Sequence, residues 1–314
     1  MKILVCPLNW GLGHATRCVP VVRQLLKEGH QVVLAADGFP LEFLRQEFPE
    51  LRTIEFPSYK ILYSEGKSQV LAMFLAIPSI FRGIISEHKW LNNLLEKEHF
   101  DRVISDNRFG LFSKKTECYY ITHQLMVKMP KGLNCFEFPV WKLHRFFINK
   151  YDQCLIPDFE GDENLSGDLS HKFPLPANAK FIEPLSRFKD IDVIQKEDKF
   201  DVVAIVSGVE PQRTLFEKYL IDRLKDSEEK VLILTGQPSK EKVEKVTGNV
   251  HLISHLDDLE FAEYLKGAKK IVARSGYSTI MDLWTLNCLD KAEFIPTPGQ
   301  TEQEYLCEFH RSKM

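Results

Sequence analysis

No run of apolar residues in this 314-residue chain is long enough to cross a bilayer: a stretch such as Val70 to Ile77 falls far short of the roughly 20 residues required. Cysteine pairs of the CxxC kind are also missing. The seven cysteines (Cys6, Cys18, Cys118, Cys135, Cys154, Cys288, Cys307) are scattered and odd in number, which argues against a disulfide framework or a zinc site and fits a reducing compartment. The opening residues, MKILVCPLNW, lack the apolar core and small-residue cleavage site of a signal peptide and read instead as a first buried strand. A formal net charge of −3 with no basic stripe makes nucleic acid an unexpected partner. The expected location is the cytoplasm, with peripheral contact at the inner face of the membrane left open.

What is present is an ordinary globular composition, 44% apolar and 27% charged with 16 glycines and 16 prolines. The length is about twice that of a usual domain of roughly 150 residues, so two domains are expected. Charge is divided unevenly between them. Residues 1–157 hold 20 Lys+Arg against 15 Asp+Glu, and residues 158–314 hold 21 against 29, so the halves carry +5 and −8.

Short β-branched runs alternate with helical stretches from the start: Lys2 to Cys6, a helix from near Ala15 to Gly29, then Gln31 to Ala35. That alternation predicts an α/β fold with parallel strands and crossover helices. Further strands are expected at Leu51 to Phe56, Arg102 to Ser105, Cys118 to Thr122 and Gln153 to Ile156, the last closing the first half. A helical region from about Ser68 to Lys97 should kink or break at Pro78. Residues 161–199, rich in turn formers, read as a linker with an extended segment at Lys180 to Leu185. A second series follows, with strands at Asp201 to Val206, Val231 to Leu234, Val250 to Ile253, Lys270 to Ala273 and Glu293 to Ile295. The expected division is therefore 1–160, 161–199 and 200–314, two Rossmann-like α/β domains facing across a cleft. Ligands of such sheets lie beyond the C-terminal ends of the strands.

The loops at those ends hold the chemistry-bearing residues. Pro7 to His14 runs from strand one into a helix, and its Gly11 and Gly13 permit close backbone approach beside a helix N-terminus suited to a polar or anionic ligand; a plain tight turn is the alternative. His14 is a candidate base, since an imidazole titrates near neutral pH, or else a capping residue. Asp106, in the Ser105-Asp106-Asn107-Arg108 cluster, either orients a histidine or caps the next helix. Thr122-His123-Gln124 should face the same cleft. In the second half, Ser207-Gly208 opens a helix, Arg274-Ser275-Gly276 leads into a helix bearing Thr279 and Asp282, and Pro296 to Glu304 offers Gln300 and Gln303, with Thr301 and Glu304 able to form a capping box. The stretch Phe138 to Lys150 mixes aromatic with basic residues, as does a helix lying on an anionic membrane, although a packed core helix has the same letters.

Taken in order, GLGHATR, SGVEPQ, ARSGYSTIMDL and PTPGQTEQE resemble the GT-B glycosyltransferases, and most nearly the branch containing MurG, which adds N-acetylglucosamine to a lipid-linked acceptor. The resemblance implies an inverting, metal-independent transferase of the cell envelope that takes a UDP-sugar as substrate and uses no cofactor. It assigns the donor to Ser207, Gly208, Arg274, Ser275, Gly276, Thr279, Asp282, Gln300 and Gln303. The glycan or lipid-linked acceptor would be met by Gly11 and Gly13, with the neighbouring polar groups Asn107, Arg108, His123 and Gln124, and His14 with Asp106 would activate its hydroxyl. The sequence departs from that branch in its single GLG, in an Asp at position 282 where the family has Glu, and in ending at Met314 soon after the glutamines, an ending expected either to weaken domain closure or to reflect a shortened reading frame. Asp190-Ile191-Asp192 matches a metal-binding DxD in letters only, because it lies in the linker.

Three other readings compete. A nicotinamide-dependent Rossmann oxidoreductase would use the GxG turn, in which Thr16 replaces the third glycine, and Asp37 as the ribose acid. A catalytically silent nucleotide-sugar-binding protein and a UDP-sugar epimerase would both bind the donor without transferring it.

Overall fold

The computed structural model describes residues 1–56, 69–193, 199–237 and 244–313. The first sheet is built from β1 (Lys2–Pro7), β2 (Gln31–Ala36), β3 (Arg52–Glu55), β4 (Arg102–Asp106), β5 (Glu117–Ile121), β6 (Gln153–Pro157) and β7 (Ala179–Ile182). Its order is β3-β2-β1-β4-β5-β6-β7 and every neighbouring pair is parallel. Helices α1 (Gly13–Lys27), α2 (Gly38–Glu47), α3 (Gln69–Lys97), α4 (Glu137–Ile148) and the short α5 (Asp168–His171) belong to the same half. The second sheet contains β8 (Val202–Ile205), β9 (Val231–Leu234), β10 (Glu244–Thr247), β11 (Val250–Ile253), β12 (Lys270–Ala273) and β13 (Ala292–Phe294) in the order β10-β11-β9-β8-β12-β13. It is parallel except at the β10–β11 edge. Its helices are α6 (Gln212–Leu224), α7 (Asp258–Gly267), α8 (Tyr277–Thr285) and α9 (Thr301–Arg311).

The apolar runs form strands because both faces of each sheet are covered. Leu4, Cys6, Val33 and Ala35 pack into one cluster, while Ile3, Val5, Val32, Leu34 and Ala36 pack into another on the opposite face. The second sheet repeats this, with Val203 and Leu232 on one side and Val202, Ala204 and Ile233 on the other. A fifth cluster lies at the seam: Leu165 and Leu169 from the first half meet Tyr277, Ile280, Met281 and Leu306 from α8 and α9. Burying each such aliphatic side chain stabilises the junction by about 1.5–3 kcal/mol.

Four expectations are corrected. Of the kink or break expected at Pro78, the break does not occur, since helix α3 runs continuously through it; a proline removes one backbone hydrogen bond, and a helix of 29 residues retains enough others to continue. Ser68, its expected start, lies outside the described residues. Strand β6 does not close the first sheet, because the extended segment after it is β7, paired to β6 from Cys154↔Ala179 to Pro157↔Ile182. Helix α1 begins at Gly13 and so takes His14 into its first turn. The capping box at α9 does not form, since Gln300 is the N-cap, the Thr301 hydroxyl donates to the Lys128 carbonyl (2.6 Å), and Glu304 accepts from the Gly299 N–H (2.8 Å).

Candidate functional site

The C-terminal strand ends of the two sheets face one another across a cavity of about 470 Å³. From the first half it is lined by Leu12, Gly13, Thr16 and Arg23, and from the second by Ser207, Ser278, Thr279 and Asp282 among others. Gly11, with φ of 93°, turns the loop out of β1. Gly13 lies so close to α8 that a Cβ there would stand 2.9 Å from the Ser278 hydroxyl. Absence of a side chain is what lets the two domains meet at this point.

One residue further on, His14 Nδ1 lies 2.6 Å from Asp106 Oδ1 at the end of β4. The expected pairing of these two residues, 92 positions apart, is thus present in space. Asp106 is fully buried and is gripped along its other edge by Arg17, whose Nε bonds Oδ2 and whose Nη2 lies 2.5 Å from Oδ1. An ionised Asp106 accepts only, so the Nδ1–H tautomer of His14 is the one that bonds it, with Arg17 Nη2 also 3.0 Å from Nδ1; in that tautomer Nε2 is left with no partner among the described residues. Burial first, and Arg17 second, lower the His14 imidazole below its ordinary value, with Asp106 opposing them. Neutral imidazole is therefore favoured. Burial on its own would raise Asp106, but Arg17 and then His14 outweigh it and hold the carboxyl at about 2.

The donor-side residues divide into two groups. Ser207, Thr279 and Asp282 line the cavity, and the Ser186 hydroxyl donates to Asp282 at 2.6 Å. Burial pushes the Asp282 carboxyl up to about 6, against the pull of Arg187 and Ser186. Gly208 continues the loop toward α6, and Gly276 caps α8. The others hold the scaffold together. Ser275 donates to the Gln303 carbonyl (2.7 Å), and Gln303 Oε1 accepts from Thr297 N–H (2.8 Å). Arg274 donates to the carbonyls of Ile295 and Pro296 and stacks over Phe216 with its guanidinium 3.8 Å from the ring centroid. Burial lowers it to about 10. Neither Gln300 nor Gln303 is among the cavity's lining residues.

On the acceptor side, Arg108 is fully buried, bonded to Glu87 (3.0 Å), the Pro7 carbonyl (2.8 Å) and Asp37 (3.4 Å), so it braces strand ends and has no exposed surface for an acceptor. Asn107, at φ 57°, turns its amide oxygen to the Tyr120 and Thr122 hydroxyls. Gln124 donates its backbone N–H to Thr122. Asp37 also accepts from Asn9 (2.9 Å), which occupies it differently from a ribose-binding acid. His123 faces Arg17 Nη1 through Nδ1 (2.9 Å) and Glu302 Oε1 through Nε2 (2.9 Å), and its ring stacks on Tyr277.

Arg17, Glu302 and Tyr277 are functional candidates that sequence reasoning missed. A signal for Arg17 existed: it follows His14 by three residues, which on a helix places both side chains on one face. Nothing local marks Glu302 as a partner of His123. Among the described residues no three His, Cys, Asp or Glu side chains gather closely enough to hold a metal ion.

No family model matches the chain. It is similar to an uncharacterized glycosyltransferase of Methanosarcina acetivorans, 27% identical over 320 residues that span 97% of this chain and 82% of that one. Among solved structures it is similar to MurG of Acinetobacter baumannii (13% identity, TM-score 0.51, 99% of this chain and 82% of the other). It is also similar to UGT89C1 of Arabidopsis thaliana complexed with UDP-L-rhamnose (15%, 0.56, 97% and 82%). A third is the putative UDP-N-acetylglucosamine 2-epimerase of Listeria monocytogenes (14%, 0.54, 100% and 88%). Architecture and structural neighbours together show the GT-B fold, two Rossmann-like domains facing across a cleft, and the curated relative that it matches over 97% of this chain carries the name glycosyltransferase. The likeness is shared among several branches of that fold and is not concentrated in the one containing MurG.

Proposed function

We propose that this protein moves a sugar, in the simplest case N-acetylglucosamine, from a UDP-sugar to a hydroxyl of a glycan or lipid-linked acceptor, with inversion at the anomeric carbon. The observation carrying the reading is the open Nε2 of His14, whose Nδ1 is tied to Asp106, one residue from the Gly13 that borders the cavity with Ser207, Thr279 and Asp282. In this mechanism Nε2 takes the acceptor proton as the oxygen attacks the anomeric carbon from the face opposite the diphosphate. The bond to the diphosphate breaks, and its electron pair leaves with the nucleotide. The resulting imidazolium faces Asp106, and general-base help of this kind is typically worth about 10²–10⁴ in rate. Charge growing on the leaving group would be met by the loop through Ser207 that leads into α6 and by the N-terminus of α8, where Thr279 sits, in place of a metal or cofactor. The UDP-L-rhamnose complex of a similar fold supports a uridine donor.

Cytoplasmic action at the membrane's inner face fits the remaining surface. Among the described residues no helix is long and apolar enough to cross a membrane. Helix α4, however, leaves Phe138, Leu143 and Phe146 exposed beside Lys142 and Lys150, whose ammonium groups lie 4.6 Å from the Phe138 and Phe146 ring centroids. The test of the central reading is a thermal-shift panel of UDP-, GDP- and TDP-sugars with NAD as comparison, followed by turnover of His14→Ala. Stabilisation by UDP-sugars and a variant that binds donor but does not transfer are expected. Stabilisation by NAD alone, wild-type turnover in the variant, binding without transfer to any acceptor, or conversion of the donor to an epimer without acceptor would each overturn it.

A further inference from the structure

His123 follows β5 in the first half, yet two of its three contacts come from helices of the second. Its ring stacks on Tyr277 of α8 with centroids 4.1 Å apart and planes 3° from parallel, while Nε2 meets Glu302 in the first turn of α9 at 2.9 Å. The third contact is Nδ1 against Arg17 Nη1, also at 2.9 Å. A guanidinium only donates, so Nδ1 carries the lone pair and Nε2 carries the proton given to Glu302. The opposite edge of Arg17 holds the Asp106 carboxylate, which holds His14. Arg17, Asp106 and His123 are 2%, 0% and 6% exposed, so bulk water has little access to replace a lost partner. Helix α9 is itself seated against both halves: its Gln303 carbonyl accepts from Ser275, Thr301 donates to the Lys128 carbonyl, and the Tyr305 hydroxyl accepts from Asp168 N–H at 2.6 Å.

We propose that Glu302 and Arg17 are positioning residues, and that the relay Glu302–His123–Arg17–Asp106 orients His14 only when α8 and α9 are docked on the first domain, so that competence of the base depends on closure of the cleft. The inference rests on the reading of His14 as the base. Neither residue is required to touch substrate. Without Glu302, the Nε2–H of His123 has no acceptor in a buried site. A ring flip or change of tautomer then turns a donor toward Arg17 Nη1, donor against donor, and the fork loosens on Asp106. His14 loses its fixed orientation through the two groups that touch its Nδ1, Asp106 at 2.6 Å and Arg17 Nη2 at 3.0 Å, although Glu302 itself does not touch it.

The charged and titratable groups facing His14 are Arg17 on α1, Asp106 on β4, His123 after β5 and Glu302 on α9, with Cys18 on α1 behind Asp106. The experiment is a titration of the His14 ring by ¹H–¹³C NMR on the full chain, its peak assigned by His14→Gln, in parallel with steady-state kinetics. In Glu302→Ala we expect the His14 midpoint to fall by about half a pH unit, because a nearby anion is gone, and kcat to fall about tenfold with donor KM within about twofold. Glu302→Gln, whose amide oxygen still accepts from Nε2–H, should retain kcat within about threefold. Arg17→Lys keeps the charge but not the fork and should lose as much as Glu302→Ala. In a His14→Ala background Glu302→Ala should cause no further loss, since both act through one group. An unmoved His14 midpoint, or additive losses in the double variant, overturns the relay. Wild-type turnover in His14→Ala alone instead removes the base assignment, and the titration still decides whether Glu302 and His14 are coupled.

Discussion

The Ser278 hydroxyl, in the first turn of α8, donates to the Gly13 carbonyl at 2.9 Å, joining the two domains beside the candidate base. The contact exists because position 13 has no Cβ, which would stand 2.9 Å from that hydroxyl and 3.3 Å from Ser278 Cβ. A loop usually read as a place for ligand phosphates is thus also a contact between domains at the cavity's edge.

Gly13→Ala should therefore act on closure. Overpacking of this size costs about 1–3 kcal/mol, and the expected outcome is a raised donor KM with lowered kcat. Adding Ser278→Ala removes the crowding oxygen and should recover part of the loss, whereas Ser278→Ala alone is mild. Kinetics of the four proteins, arranged as a cycle, check this; strictly additive losses would contradict it.

Asp106→Asn leaves Arg17 buried without its carboxylate. A loss of about 3–5 kcal/mol in urea unfolding near neutral pH is expected, with kcat reduced at least 10²-fold. The pH dependence has a definite sign. Because the native carboxyl is held at about 2, below its usual 3.8, the stability it adds, about 2 kcal/mol, is complete above pH 4 and disappears as pH falls from about 4 to about 2. The gap between wild type and variant should narrow at pH 3.

Asp282 behaves in the opposite sense. Its native carboxyl is raised to about 6, so the protonated form favours folding below about 4, and that advantage is lost as pH rises through 6. Asp282→Asn should then be more stable than wild type at pH 8, by up to about 3 kcal/mol, and no more stable at pH 4. Nucleotide-sugar affinity should fall in the same variant. Thermal unfolding at the two pH values, with and without UDP-sugar, measures both effects.

The exposed aromatics of α4 give a prediction independent of catalysis. Phe138→Ser with Phe146→Ser should abolish flotation with vesicles containing anionic lipid, and Lys142→Gln with Lys150→Gln should make any remaining binding insensitive to salt. Equal flotation of all variants, or none by the wild type, would remove the membrane contact.

Much of this architecture was legible in the chain because burial leaves a local record. Two-sided strands such as Ile3 to Cys6 and Val202 to Ile205 are uninterrupted apolar runs, each followed by a loop and a helix, and their order is enough to imply two largely parallel sheets. Glycines and polar residues in the loops and helix starts after the strands likewise marked Gly13, Ser207 and Asp282, which line the cavity, and His14, which stands one residue beyond Gly13. Continuity through Pro78 was not legible, because a proline's local penalty is visible in sequence and the compensation from a long helix is not.

Periodicities of two and 3.6 residues along the chain already mark most strands and helices and the loops at the cleft, with β10 at Glu244–Thr247 an exception. How the polar residues of those loops are used is settled by packing. Arg108 and Gln303 resemble ligand contacts as letters, but packing commits the first to Glu87 and the second to Thr297. Glu302 reaches His123 from 179 positions away, and hence Arg17 and Asp106, through a meeting of two domains. The reason is physical: a hydrogen bond is set by the distance and direction of two atoms in the folded chain, and no local pattern along the sequence encodes a separation that only the packing of one domain on the other creates.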